Sequence, residues 1–532
     1  MKKNGALLLV FALSLIGMNR SFAQKAKAHA LTADEAKLVK KDAGTYFTSD
    51  NYNAALKGYE ELRKSAPENV EYNYRLGVCY LMTNSDKTKA LEPLEFVSNS
   101  KDPKKEVWYY LGMAHLYRQE FDQAIESFNH FKTISGAKLP KDLPSADRMI
   151  EYCSNGKELV SKPVDVTFTN PGKVINTPYE EYNPMISADR KQLVFTSRRK
   201  GNIGGYIEDL GMYSADVYWT SWKDTVWSKP KGLGAMVNTD WDEECVGISP
   251  DGNQLFIYFD NIESYADIGR SSLKGKMWQR AEMLNDQLNS KGYEGGACIS
   301  LDGNTIIFSS IRKEGSLGGS DLYMIRKESA GNWSTPVNLG NTINTKYDED
   351  APALSIDGKT LFFASKGWNS MGGFDIFRSE WDASKNTWSE AVNIGYPIND
   401  ADDNVFFSFT GDGRDMYISS SRTGGLGDKD IYRVTFNDSS IQKRYVLIQG
   451  AVASLNGGRP ELTRVSLLDA DGAQLVDYKP SYATGSFLVY GKPGTYKLHL
   501  EGYHFAPLDE TVEIPTDATE PVIKNISVTL SK

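Results

Sequence analysis

The chain has 532 residues, with 60 Lys and Arg against 69 Asp and Glu, and 46 glycines beside 11% aromatic residues. A chain of this length is too long for one core and predicts three or four domains, while glycine and aromatic residues together suit many short strands joined by tight turns. A net charge of −9 without a basic face excludes a nucleic-acid-binding role.

The first residues read as a secretory signal. Lys2 and Lys3 precede an apolar run over 7–16, and Ser21 and Ala23 are small residues at the −3 and −1 positions, so cleavage is expected after Ala23. The run is too short to span a bilayer as a mature helix. Removing residues 1–23 takes away Lys2, Lys3 and Arg20 and no acid, which moves the net charge to −12. The expected location is the periplasm, with no transmembrane segment in the mature chain. The four cysteines, Cys79, Cys153, Cys245 and Cys298, form no CxxC pair. They offer no metal or redox motif and read as buried free thiols, although Cys245 and Cys298 occupy similar places in successive repeats.

Residues 31–160 carry large and small residues at helical spacing. Trp108, Leu111, Gly112, Phe121, Ala124, Phe128 and Phe131 follow the tetratricopeptide pattern, in which small residues let paired helices touch. Earlier units carry Gly44, Tyr59 and Pro67, then Leu76, Gly77 and Ala90. A last helix from about 144 to 159 would cap the stack. Three repeats and a cap predict an all-α array with a groove for a peptide or a partner helix.

Residues 164–436 are periodic. Asn176, Asn238, Asn289, Asn344 and Asn399 each stand 13 residues before an Asp: Asp189, Asp251, Asp302, Asp357 and Asp412. Four of those Asp precede Gly, which marks a hairpin turn. Around each turn lie segments for four strands, with Trp227, Trp278, Trp333 and Trp388 near the fourth. The spacing predicts a five-bladed β-propeller. The fifth unit lacks a fourth strand, and residues 165–176 are expected to supply it and close the ring.

An acid recurs five positions after the Asn, at Glu181, Glu243, Glu294 and Glu349, with Asn404 in the fifth unit. This ring would face one mouth of the channel and bind a cation or a basic peptide, or else accept hydrogen bonds from neighbouring loop amides. Arg198, Arg312 and Arg422 follow the second strand and would line the opposite rim. No histidine falls within 164–436, and neither G-x-S-x-G nor H-E-x-x-H occurs. Carboxylates alone would allow a glycosidase-type mechanism, but an acid constant in every unit reads as architecture, whereas a catalytic pair would break the repeat. No catalytic residue, metal or cofactor is expected. Residues 444–532 alternate as short strands with a turn at Asp471-Gly472, which predicts a seven-strand β-sandwich.

The run Ala353-Leu354-Ser355-Ile356-Asp357-Gly358-Lys359-Thr360-Leu361-Phe362-Phe363 resembles TolB-type, WD40-like repeats. Gly450, Thr484-Gly485-x-Phe487, Gly494-x-Tyr496 and Gly502-Tyr503 resemble the carboxypeptidase regulatory-like domain, a non-catalytic module of transthyretin-like fold. The order of the three domains is similar to that of PorE-type periplasmic proteins of the type IX secretion system of Bacteroidota. The resemblance implies a scaffold at the outer membrane that binds protein partners of the envelope or secretion machinery. Those proteins carry a further OmpA-like peptidoglycan-binding domain; none is expected here, so direct binding to the cell wall is not expected either. The alternative is a sensor whose propeller captures a peptide or a cell-wall glycan.

Overall fold

The computed structural model describes residues 31–134, 136, 138–140, 142–207, 211–260, 266–329, 331–458, 460–479 and 485–531. The signal sequence, His29, and Thr484 of the sandwich motif lie outside them. Seven α-helices come first: α1 (Ala33–Thr48), α2 (Tyr52–Ser65), α3 (Val70–Leu81), α4 (Leu91–Ser98), α5 (Val107–Tyr117), α6 (Phe121–Thr133) and α7 (Ala146–Val160). Polar side chains set the starts. Thr32 and Glu35 form a capping box on α1, and Asn51, Asn69 and Ser145 cap α2, α3 and α7. The first six helices pack as consecutive pairs. At the α5–α6 contact, the space a Cβ on Gly112 would occupy lies 2.7 Å from the Phe128 ring, so glycine is what lets the helices close. None of the helices among the described residues is long and apolar enough to cross a membrane.

Five antiparallel sheets follow. Their innermost strands are Glu181–Ile186, Asp242–Ile248, Glu294–Ile299, Glu349–Leu354 and Phe407–Phe409. Each touches the next and the last touches the first, so the sheets form a closed, propeller-like ring. Val166–Thr169 pairs antiparallel with Asp430–Phe436 and completes the last sheet from the N-terminal side.

Period-two alternation explains why the second strands are apolar throughout. Phe256 packs toward the third sheet while Ile257 packs toward the first; Phe363 packs toward the third and Phe362 toward the fifth. Each middle strand is therefore a wall between two cores, and both of its faces are buried. The outer strands differ from expectation. Each is two short pieces or less, such as Val226–Trp227 and Lys231–Gly232. Pro230 and Pro336 cannot donate to a ladder, and hydroxyls of Ser228 and Ser389 bond to neighbouring main chain instead.

Two repeated side chains pin the ring. Each Asn brackets a third-strand residue with both ends of its amide: Asn238 with Val217, Asn289 with Ile268, Asn344 with Leu322 and Asn399 with Ile376. Asn176 brackets Ile431, 255 residues away, and so belongs to the last sheet. Each turn Asp accepts from the Ser or Thr two residues before it and from the amide two residues after. Arg190 replaces glycine in the first turn and still takes φ +62°.

The C-terminal strands form a three-stranded and a four-stranded sheet around a shared core that includes Ile448, Val465, Leu467, Phe487 and Leu500. Ala188, Leu301 and Ile356, from the turn end of the ring, join that core. The sandwich therefore sits on the Asp-turn face. Tyr478 donates to Asp251 at 3.0 Å, Tyr445 to Asp357 at 2.6 Å and Lys191 to Gln449 at 2.8 Å.

Candidate functional site

The four repeated glutamates do not line a mouth. Glu181, Glu243, Glu294 and Glu349 are all fully buried. Each carboxylate accepts the amide and hydroxyl of the residue four positions earlier: Thr177, Thr239, Ser290 and Thr345. Asn404 accepts the Asp400 amide in the same way. The acid thus ties down the loop that enters each inner strand. Burial pushes the Glu243 and Glu349 carboxyls up to about 7.

The arginines are not on an opposite rim either. Antiparallel pairing sets the start of an inner strand beside the end of the second, as in Glu349 opposite Ser365, so arginines and glutamates share one end of the ring. Arg312 lies 3.5 Å from Glu294. The corresponding side chain in the first sheet is Arg199, 3.1 Å from Glu181; its neighbour Arg198, expected on the rim, pairs instead with Asp242 at 2.8 Å. Arg422 donates to the Pro397 carbonyl and stacks 3.7 Å from the Phe168 ring centroid.

The channel itself is narrow and apolar. Met185, Ile248, Ala297, Leu354 and Phe409 line a cavity of about 80 Å³, room for a few waters and not for a peptide strand. At the turn end, Gln442 reaches into it. The opposite end carries the side chains that break the repeat. The position after the constant acid is Tyr182, Glu244, Gly295, Asp350 and Val405 in successive sheets. Glu244 accepts from Tyr182 Oη at 2.8 Å and Asn183 Nδ2 at 3.1 Å, and burial raises it to about 7. Asp350 accepts from Ser309 Oγ at 2.6 Å, and burial raises it too. Around them stand Tyr258 and Tyr293, 5.6 Å apart, and Phe406 under Lys429. Glu244 and Asp350 were missed from sequence, although an acid present in only two units was the available signal. Two buried carboxyls, both raised by burial, beside aromatic faces can hold a cationic or hydrogen-bonding group.

The helices stand against this same end. Arg148 and Tyr152 donate to the Lys366 carbonyl, Asn155 donates to the Ser370 carbonyl at 2.9 Å, and Met371 is buried in the helical core. Lys87 pairs with Asp402. All four cysteines are buried and free, and burial pushes each thiol up to about 12. Among the described residues, no group of three or more His, Cys, Asp or Glu is placed to hold a metal ion.

No family model matches the chain, and no curated protein matches it. Among solved structures, it is similar to a TPR domain of Spaghetti (RPAP3) bound to an HSP90 peptide, at 14% identity and a TM-score of 0.20, over 24% of this chain and 98% of that one. It is also similar to the periplasmic gluconolactonase PpgL of Pseudomonas aeruginosa, at 12% identity and a TM-score of 0.29, over 58% and 88%. A third is the α-L-arabinanase of Penicillium chrysogenum complexed with arabinobiose, at 11% identity and a TM-score of 0.29, over 51% and 98%. Likenesses of this size carry no argument about activity or partners.

Proposed function

We propose that the chain is a non-catalytic periplasmic scaffold that binds protein partners of the envelope, as an accessory of a type IX secretion machinery or of outer-membrane assembly. In this reading the helices are a tetratricopeptide array, the ring is a five-bladed β-propeller, and the last domain is a transthyretin-like sandwich. One observation carries it. The sandwich caps the turn end of the ring, and the helices border the other end, so the helical array and the irregular mouth around Glu244 and Asp350 form one continuous binding face. The channel between them is too narrow to hold a substrate chain. Capture from solubilised envelopes with a tagged chain tests the proposal. Stoichiometric membrane proteins, lost when residues 31–160 are deleted, are the expected result. Recovery of the chain alone, or any turnover abolished by Glu244→Gln with Asp350→Asn, would overturn it.

A further inference from the structure

We propose that the cleft between the second sheet, the third sheet and the sandwich binds a carboxylate-bearing saccharide. The cleft holds about 270 Å³, the size of one or two sugar rings. Arg270, Ser272, Ser300, Lys327, Trp333 and Lys479 line it, and the sandwich closes one wall with Tyr478. Among the described residues, none of Arg270, Lys327 and Lys479 makes an ion pair. The one carboxylate in the cleft, Asp251, is already bound by Ser249, Asn253 and Tyr478. A cleft with this excess of positive charge stands out on a chain of net charge −9.

Two departures from the repeat meet here. Across from the outer-strand Trp, the other sheets place an apolar residue: Trp222 against Trp227, Leu273 against Trp278 and Trp381 against Trp388. The third sheet places Lys327 against Trp333. Its ammonium lies 5.8 Å from the Trp333 ring centroid, and Trp333 is only partly buried, as is Trp227, whereas Trp278 and Trp388 are buried. The second departure is Arg270. Arg378, at the same register of the fourth sheet, gives its guanidinium to the carbonyls of Ser440 and Ile441. Among the described residues, Arg270 has no such acceptor. An arginine fork and two ammonium groups suit a carboxylate. A partly exposed indole beside the Ser272 hydroxyl suits the apolar face and hydroxyls of a pyranose. The cleft lies on the far side of the ring from the irregular mouth, so this inference stands apart from the scaffold reading.

Calorimetry of the full exported chain at low salt tests it, with digalacturonate as the probe. Saturable one-to-one binding is expected, weakened at least about tenfold by Arg270→Ala and by Lys327→Ala, and unchanged by Lys385→Ala on the fourth sheet. Lys327→Leu restores the pairing seen at Leu273 and keeps the thermal midpoint while removing binding. The dimethyl ester of the same sugar should not bind. Equal binding of the ester, of inorganic phosphate or of a diglutamate peptide overturns the assignment, as does an absence of saturable binding at millimolar sugar.

Discussion

Replacing Glu349 with alanine separates an architectural acid from a ligand-binding one. The carboxylate meets the Thr345 amide at 2.8 Å, the Thr345 hydroxyl at 2.7 Å and the Ser365 hydroxyl at 2.6 Å, with no exposure to solvent. The hydroxyls can turn to other acceptors, but the amide cannot. One orphaned buried donor and the lost hydrogen bonds to the protonated carboxyl together cost about 3 kcal/mol at low pH. This stabilisation depends on pH. Burial raises this carboxyl from 4.5 to about 7, so its folded form binds a proton that the unfolded form has released. Its contribution is fully present below pH 4.5 and is lost as pH rises through 7, a change of about 3 kcal/mol. Glu349→Ala should therefore destabilise the ring by about 3 kcal/mol at pH 4.5 and by little at pH 8.5. Urea denaturation followed by tryptophan fluorescence at both pH values measures the difference. A variant equally stable at pH 4.5, or a loss that does not shrink with pH, refutes the reasoning.

Asn176→Ala removes both bonds to Ile431 and should destabilise the ring by about 2 kcal/mol or more. Limited proteolysis should then cut near residues 160–176, which Asn238→Ala, acting within one sheet, should not provoke. Tyr445→Phe with Tyr478→Phe deletes two hydroxyl contacts between sandwich and ring; small-angle scattering should show a larger radius of gyration, with each domain still folded. Gly112→Ala would ordinarily favour a helix by about 1 kcal/mol, but its new methyl meets the Phe128 ring. The circular dichroism midpoint should therefore fall rather than rise, by an amount matching about 1–3 kcal/mol of overpacking.

Local pattern carried much of the architecture. The 13-residue interval from Asn to Asp is legible because each Asn must reach a third strand and each Asp must hold a tight turn, both over short stretches of chain. The strand at 166–169 was legible for a similar reason: residues 165–176 match the segment 388–399 that leads into Asn399. Paired helices followed from glycine and aromatic spacing. The meaning of the repeated glutamates was not legible in the same way. A constant acid reads alike whether it faces a channel or a loop, and only the antiparallel register, which sets Glu349 beside Ser365 and Arg312 beside Glu294, turns it inward. Arg198 and Arg199 are neighbours in sequence, yet just past the strand that ends at Ser197 one turns to Asp242 and the other to Glu181.

The sequence by itself determined the repeat, the turns and the alternation that buries both faces of each middle strand, because these depend on residues a few positions apart. Tertiary structure alone decided which end of the ring the sandwich covers, how narrow the channel is, and that Arg270, Lys327 and Lys479 share a cleft. Those depend on how five sheets and two further domains pack across hundreds of residues, and no local pattern records that.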